Sequence, residues 1–151
     1  MSAIQELYQQ VILDHNKNPR NYGELKPFTH FAEGYNPLCG DRFNVYAVLE
    51  GDTIKDIHFS GSGCAISKSS ASIMTTLLKG KTKAEAFGLF DRFQRLVTSD
   101  ISEVPDEEKL GKLVVFAGVR EFPSRVKCAG LAWHTMKSAL GGSVEKVVST
   151  E

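Results

Sequence analysis

Apolar residues recur every three or four positions in several parts of the chain, and this spacing predicts amphipathic helices. The stripe of the first helix ends at HNKNPRNYG, a segment rich in residues that stop helices. Thr82 and Glu85 form a capping-box pattern that opens a third helix through about Val97, and a shorter helix is expected after Pro105. The stripes of the first, second and last helices are Ile4, Leu7, Tyr8, Val11 and Ile12; Ile66, Ile73, Met74, Leu77 and Leu78; and Ala129, Ala132, Trp133, Met136 and Leu140. The expected ends of the second and last helices are Gly80 and Gly141-Gly142.

Two other stretches are rich in β-branched and aromatic residues, and they predict a β-hairpin. FNVYAVLE and TIKDIHFS flank Gly51-Asp52, which suits a two-residue turn with glycine first. A further short strand is expected from Thr29 to Tyr35. Because the strands come early and most helices late, the expected fold class is α+β, with a small antiparallel sheet of about three strands packed against several helices. No repeat or linker interrupts the pattern, so one domain over residues 1–151 is expected.

The composition is that of an ordinary globular protein and argues against two classes of partner. The 151 residues include 18 Lys plus Arg and 18 Asp plus Glu, so the net charge is zero and no basic surface for nucleic acid is expected. No stretch approaches the roughly 20 apolar residues of a membrane-spanning helix, and MSAIQELYQQ has no apolar signal core. These observations predict a cytoplasmic protein that binds neither nucleic acid nor membrane.

Three cysteines and one aspartate carry the most specific chemistry in the sequence. Three cysteines cannot all pair within one chain, and a reducing cytosol disfavours disulfides, so they are buried thiols, reactive thiols or metal ligands. If Gly51 and Asp52 form the turn, residues whose numbers sum to 103 lie opposite each other, which would bring Cys39 and Cys64 to the same end of the hairpin. Their Cβ atoms would then be about 5 Å apart, close enough to share a metal ion.

Cys64 and Cys128 are both expected near helix starts, where backbone amides stabilise a thiolate. Cys64 follows GSG and precedes the second helix, and Cys128 follows FPSRVK, whose Pro-Ser pair is expected to open the last helix. Together with Cys39 and the neighbouring Asp41, they would make a tetrahedral set of three thiolates and one carboxylate. Spacing alone leaves open that the cysteines are small buried core residues, because C-x-D is a weak motif and no C-x-x-C pair is present.

Four segments, in this order along the chain, resemble the IscU/NifU-N-terminal family of iron–sulfur assembly proteins. They are LYQQVILDHNKNPRNYG, NPLCGD, GSGCAISKSSASIM and FPSRVKCAGLAW, and they extend from the first helix to the last. The resemblance implies a SufU/IscU-like fold with a metal or cluster site on Cys39, Asp41, Cys64 and Cys128. Lys127 stands where scaffold-type members carry histidine, and the segment between Cys64 and Cys128 is longer than theirs. Both features are similar to the SufU-type branch of the family.

That branch implies a function, a cofactor and partners. We expect a zinc-dependent sulfur acceptor of sulfurtransferase type, which takes persulfide sulfur from a pyridoxal-phosphate cysteine desulfurase of the SufS type. It would pass the sulfur to downstream iron–sulfur assembly proteins. Cys39 is expected to receive the sulfur, because its Pro- and Gly-flanked loop should move at the least cost. Two alternatives stay open: a scaffold that holds iron or assembles a [2Fe–2S] cluster on the same ligands, and a structural zinc domain that only docks partners.

Overall fold

One mixed sheet and a set of helices make up the fold in the computed structural model, which describes residues 3–141 and the strand at 147–149. The helices are α1 (Ala3–Lys17), α2 (Ala65–Leu78), α3 (Lys83–Thr98), α4 (Glu107–Leu110) and α5 (Pro123–Leu140), with a 3-10 segment at Gly111–Glu121. The strands are β1 (His30–Asn36), β2 (Asp41–Glu50), β3 (Thr53–Ser62) and β4 (Val147–Ser149). α2 and α5 pack against the strands, so the core lies between these helices and the sheet.

The sheet has the strand order β3-β2-β1-β4. β1, β2 and β3 are antiparallel to one another, and β4 pairs in parallel with β1. The predicted α+β class with three antiparallel strands is therefore confirmed, and β1 lies within one residue of the predicted span. β4 was not predicted, because three residues are too few to show a periodic pattern.

The β2–β3 hairpin turns at the two predicted residues, but its register changes along the strands. Leu49 pairs with Ile54, whereas Val48 pairs with Asp56, which leaves Lys55 unpaired as a β-bulge. Toward the far end of the hairpin, every pair is shifted by one position from the predicted register.

The bulge makes the predicted opposition of Cys39 and Cys64 wrong. The pairing is shifted by one residue, and Cys39 lies outside β2, in the turn between β1 and β2. The bulge has a physical cause, since Ile54, Ile57 and Phe59 are all fully buried. Regular alternation of faces cannot bury two residues that are three positions apart. In TIKDIHFS, Ile54 and Ile57 are three positions apart, whereas Ile57 and Phe59 are two positions apart. This change in the spacing of apolar residues is the signal that could have predicted the bulge.

The helices after the hairpin follow the prediction, with one addition. α2 ends two residues before Gly80. The capping box of α3 is complete: Glu85 N–H donates to Oγ1 of Thr82 at 3.2 Å, and Thr82 N–H donates to Oε1 of Glu85 at 3.0 Å. The short helix expected after Pro105 is α4, and the long 3-10 segment that follows it was not predicted.

α5 carries the largest core side chain. Trp133 is fully buried and stacks on Phe93 of α3, with ring centroids 4.9 Å apart. Its indole N–H donates to Oγ of Ser70 in α2 at 3.1 Å, so one residue ties three helices together. The helix ends before Gly141, which acts as its C-cap, and the predicted Gly142 lies outside the described residues.

α1 is joined to α2 by a buried polar contact. His15 is buried, and its Nδ1 lies 2.7 Å from Oγ of Ser72, which also accepts the backbone N–H of Arg20 at 2.8 Å. Burial lowers the pKa of His15 below its ordinary value, and the charge of Arg20 adds to that effect. Among the described residues, no helix is both long and apolar enough to cross a membrane.

Candidate metal centre

The four predicted site residues come from three parts of the chain that meet at one end of the sheet. Cys39 lies in the turn between β1 and β2, and Asp41 is the first residue of β2. Cys64 is the N-cap of α2, at the helix start where it was expected. Cys128 lies in the second turn of α5, deeper in the helix than expected. The fold thus brings Cys39 beside Cys128, which is 89 positions away in the sequence.

Cys39, Asp41 and Cys128 form a compact group. Their Sγ and carboxylate oxygen atoms lie within 4.8 Å of one another, and the two sulfurs are 3.5 Å apart. Cys39 is exposed, whereas Asp41 and Cys128 are buried. The group can therefore be reached from solvent on the Cys39 side.

Cys64 lies outside this group of three but is connected to it through Asp41. Its Sγ is 3.7 Å from Oδ2 of Asp41, and its backbone N–H donates to Oδ1 at 3.1 Å. Asp41 is only 3% exposed, so this amide at the positive end of α2 supplies part of the hydrogen bonding that a buried carboxylate requires. Asp41 is thus held in position by the same residue that would share a metal ion with it.

The donors and their spacing fit a tetrahedral divalent ion. Metal–thiolate bonds of about 2.3 Å at tetrahedral angles place two sulfurs about 3.8 Å apart, and a sulfur and a carboxylate oxygen about 3.5 Å apart. The Cys39–Cys128 and Cys64–Asp41 separations of 3.5 and 3.7 Å are close to these values. Cys64, which lies outside the compact group, would have to approach the other two sulfurs to complete the set. Thiolates and carboxylates are ligands of zinc, and thiolates also hold iron–sulfur clusters.

The protein groups around the sulfurs favour protonated thiols. Burial raises the pKa of the Cys128 thiol, and the hydrogen bond to Cys39 and the charges of Cys64 and Asp41 raise it further. Burial also raises the pKa of Cys39, although a hydrogen bond from the Asp41 backbone opposes this shift. Both thiols therefore keep their protons at neutral pH, and a metal ion that binds there must displace them.

Two buried polar residues that the sequence analysis did not select approach the sulfurs. Ser67 donates its backbone N–H to Sγ of Cys64 at 3.5 Å, and its hydroxyl lies 3.5 Å from the same atom. Asn36, the last residue of β1, directs Nδ2 toward Sγ of Cys128 at 4.0 Å. The available signals were a serine three residues after an N-cap and an asparagine that precedes a Pro-containing turn.

Comparison with known proteins shows the family of the chain: residues 7–129 match the family described as NifU-like N terminal domain. The iron-sulfur cluster assembly scaffold protein IscU of Streptococcus pyogenes serotype M1 is 39% identical over 93% of this chain and 86% of its own length. The zinc-dependent sulfurtransferase SufU of Bacillus subtilis (strain 168) is also 39% identical, over 91% of both chains. A crystal structure from Fervidobacterium islandicum AW-1, of a protein described as an iron-sulfur cluster assembly scaffold protein for the SUF system (FiSufU), is 34% identical to this chain. It superimposes with a TM-score of 0.80 over 90% of this chain and 98% of that one. The predicted resemblance is confirmed, and the chain belongs to the family of NifU-like N-terminal domains that contains the IscU and SufU proteins.

Proposed function

We propose that this protein is a zinc-dependent sulfur acceptor in iron–sulfur cluster assembly, and that Cys39 receives persulfide sulfur from a cysteine desulfurase. The observation that carries this proposal is the difference in position between Cys39 and the other ligands. Cys39 is exposed in a short turn, whereas Asp41 and Cys128 are buried. Cys64 is also exposed, but it is fixed as the N-cap of α2, where its sulfur accepts the backbone N–H of Ser67. A cysteine that meets the persulfide of another protein has to be reachable and able to move. Cys39 lies in a turn whose four residues are all exposed, whereas Cys64 lies directly before α2 and caps that helix.

The proposed step is a thiol exchange at Cys39. The Cys39 thiolate attacks the outer sulfur of the donor persulfide, a new S–S bond forms at its Sγ, and the S–S bond of the donor breaks. The donor cysteine leaves as a thiolate. The proton of the persulfide stays on the transferred sulfur, so the step requires no external oxidant or reductant. Cys39 then carries the sulfur for a downstream iron–sulfur assembly protein.

Cys39, Asp41, Cys64 and Cys128 would hold the zinc ion. When bound, zinc keeps its thiol ligands deprotonated, which would supply the thiolate of Cys39 despite its raised pKa. Asp41 offers an oxygen, which is a harder ligand than a fourth thiolate, so the site should open more easily than a site of four cysteines. Cys128 is anchored within α5 and Cys64 is anchored as the N-cap of α2, so both would stay in place while Cys39 moves.

A cluster scaffold is the second candidate function, because the same ligands suit a [2Fe–2S] cluster and the IscU and SufU relatives are equally similar to this chain. Lys127 favours the sulfur acceptor. It stands where the resemblance places histidine in scaffold-type members, and an ammonium group has no lone pair with which to ligate a metal. Its side chain also makes no hydrogen bond or ion pair with any residue that the structure describes.

The assignment of Cys39 is tested by locating the transferred sulfur. Zinc-loaded protein is incubated with a cysteine desulfurase and cysteine, and its peptides are analysed by mass spectrometry, with a reaction lacking cysteine as the control. We expect 32 Da of added sulfur on Cys39, roughly one sulfur atom per chain. Cys39→Ser should accept none and should no longer stimulate the desulfurase. Sulfur found on Cys64 or Cys128, and never on Cys39, would overturn the assignment.

Metal analysis of protein purified without oxygen separates the candidate functions. Zinc without iron, together with stimulation of a desulfurase, supports the sulfur acceptor. A reconstituted cluster that can be transferred to an apoprotein supports the scaffold. Zinc with no effect on a desulfurase supports a domain in which the metal is structural and which only docks partners.

A further inference from the structure

Asn36 links the Cys39 turn to the rest of the site. It is the last residue of β1, it is only 1% exposed, and its backbone pairs with Asp41. Its side-chain Oδ1 accepts the backbone N–H of Leu38 at 3.1 Å, and its backbone oxygen accepts the N–H of Gly40 at 2.8 Å. These two bonds close the turn from both sides of Cys39. The conformation of the turn therefore depends on the side chain of Asn36.

The other end of the same side chain faces Cys128. The Leu38 N–H can only donate, so it requires Oδ1 on its side and places Nδ2 on the other. Nδ2 lies 4.0 Å from Sγ of Cys128, a long contact for a neutral thiol. The contact becomes a charge-assisted hydrogen bond when the sulfur is a thiolate, as it is in a metal site, and such bonds are shorter and stronger.

We propose that Asn36 is a positioning residue of the metal centre, which holds the Cys39 turn in place and hydrogen-bonds the Cys128 thiolate. This inference rests on the proposed metal site. Cys128 is buried, so its negative charge requires a partner that stays when Cys39 leaves the metal to collect sulfur. Asn36 supplies that partner from β1, which does not have to move with the turn.

The surroundings of Cys64 show the same arrangement with a different donor. The sulfur of Cys64 accepts the backbone N–H of Ser67, so each of the two anchored cysteines has its own N–H group. At Cys64 the donor belongs to the backbone of α2, so a change of side chain leaves it in place unless the new residue is proline. At Cys128 the donor is a side chain, and its effect can be tested directly.

The test compares Asn36→Ser with Asn44→Ser. Serine at position 36 can still accept the Leu38 N–H, as Ser does in turns, but it is too short to reach the sulfur. Asn44 lies on the opposite face of β2 from Asp41 and donates to Ser60 at 3.3 Å, so its substitution changes the same sheet away from the sulfurs. Each variant is titrated with zinc in competition with a chromophoric chelator. Each is also loaded with cobalt(II), whose thiolate-to-metal absorption band reports the electron density on sulfur.

We expect Asn36→Ser to bind zinc about tenfold or more weakly, the usual effect of losing a hydrogen bond to a metal ligand. Its cobalt band should move to longer wavelength, because a thiolate without its N–H donor gives up an electron more easily. Asn44→Ser should match the wild type in both measurements. A weaker affinity with an unmoved band would overturn the proposal, since loss of the turn alone would explain it. Unchanged affinity and band would overturn it too.

Two further outcomes keep the inference separate from the proposed function. If wild-type protein shows no thiolate-to-cobalt band, the metal site itself is wrong and the inference on Asn36 falls with it. If Asn36→Ser does not fold, Asn36→Asp replaces it, because aspartate has the same shape and still accepts the Leu38 N–H. The cobalt band of Asn36→Asp should also lie at longer wavelength than that of the wild type, and an unmoved band would overturn the proposal.

Discussion

The turn that carries Cys39 differs in its packing from α5, which carries Cys128, and from α2, which Cys64 caps. All four residues of the turn, 37–40, are exposed, and Leu38 is 68% exposed. Most of the residues that follow Cys128 in α5 are buried, among them Leu131 and Trp133. A displacement of the turn disturbs few contacts, whereas a displacement of either helix disturbs the core. If the four residues bind a metal ion as proposed, the site would combine three ligands held by packed elements with one ligand in a turn that can move.

The largest expected effect tests the helix side of this comparison. Trp133→Ala removes the stack on Phe93 and the hydrogen bond to Ser70, and it should lower the free energy of unfolding by about 3–5 kcal/mol. Chemical denaturation of the zinc-loaded protein measures this loss. Trp133→Phe is the matched control and should cost less, because it keeps a ring against Phe93. A loss below about 1 kcal/mol for Trp133→Ala would mean that the core does not anchor α5.

Metal removal is expected to have the next largest effect. The ligands come from separate parts of the chain, so a metal that binds only the folded state stabilises it by about 2.7 kcal/mol when free metal is a hundredfold above the dissociation constant. At roughly 2–4 °C per kcal/mol, the melting temperature should fall by several degrees after chelation. Hydrogen exchange should increase most at the amides of Leu38–Gly40. An unchanged melting curve after verified metal loss would contradict this prediction.

Lowering the pH is expected to lower the free energy of unfolding through His15, which joins α1 to α2. The folded state lowers the pKa of His15, so near pH 6 the unfolded chain binds more protons than the folded protein. The contribution of His15 to stability is therefore present above its unfolded pKa of about 6.5, and it is lost progressively as the pH falls below that value and through the lower pKa of the folded state. The slope attributable to one histidine is at most about 1.4 kcal/mol per pH unit. Unfolding free energies measured between pH 7.5 and pH 5.5 (about one unit either side of that pKa) should show a smaller slope for His15→Gln than for the wild type. Equal slopes would exclude His15 as the cause.

The smallest effect is expected in the turn. Leu38→Ala removes an exposed side chain and should change the free energy of unfolding by less than about 0.5 kcal/mol. Leu131→Ala makes the same change at a fully buried position of α5 and should cost about 2–5 kcal/mol. Similar losses for the two variants, measured by chemical denaturation, would remove the difference between the turn and the helices.

The sequence predicted the elements well because most of them repeat a local pattern. α1, α2 and α5 have apolar stripes, Thr82 and Glu85 give the start of α3, and a two-residue glycine turn joins β2 to β3. Two elements were not predicted. The 3-10 segment at 111–121 does not follow an α-helical period, and the strand at 147–149 is too short to show an alternating pattern.

The four candidate ligands were all selected from the sequence, but their arrangement was not. The predicted register placed Cys39 opposite Cys64, whereas the sulfur that Cys39 approaches belongs to Cys128. That proximity depends on how α5 packs across the sheet, which no local pattern specifies. Asn36 was not selected from the sequence for the same reason, because its proposed role follows from a contact with Cys128, 92 positions away.

The bulge at Lys55 has a consequence for how the hairpin can change in evolution. A gain or loss of one residue inside a strand usually reverses the faces of every side chain beyond it. Here the extra residue, Lys55, is exposed and has no pairing partner in β2. A related protein without it would have Ile54 and Ile57 at alternate positions of a regular strand, and both would still face the core. The length of the hairpin is therefore free to drift by one residue at this position, while lineages that diverge there keep the ligands at the far end of the sheet in the same places.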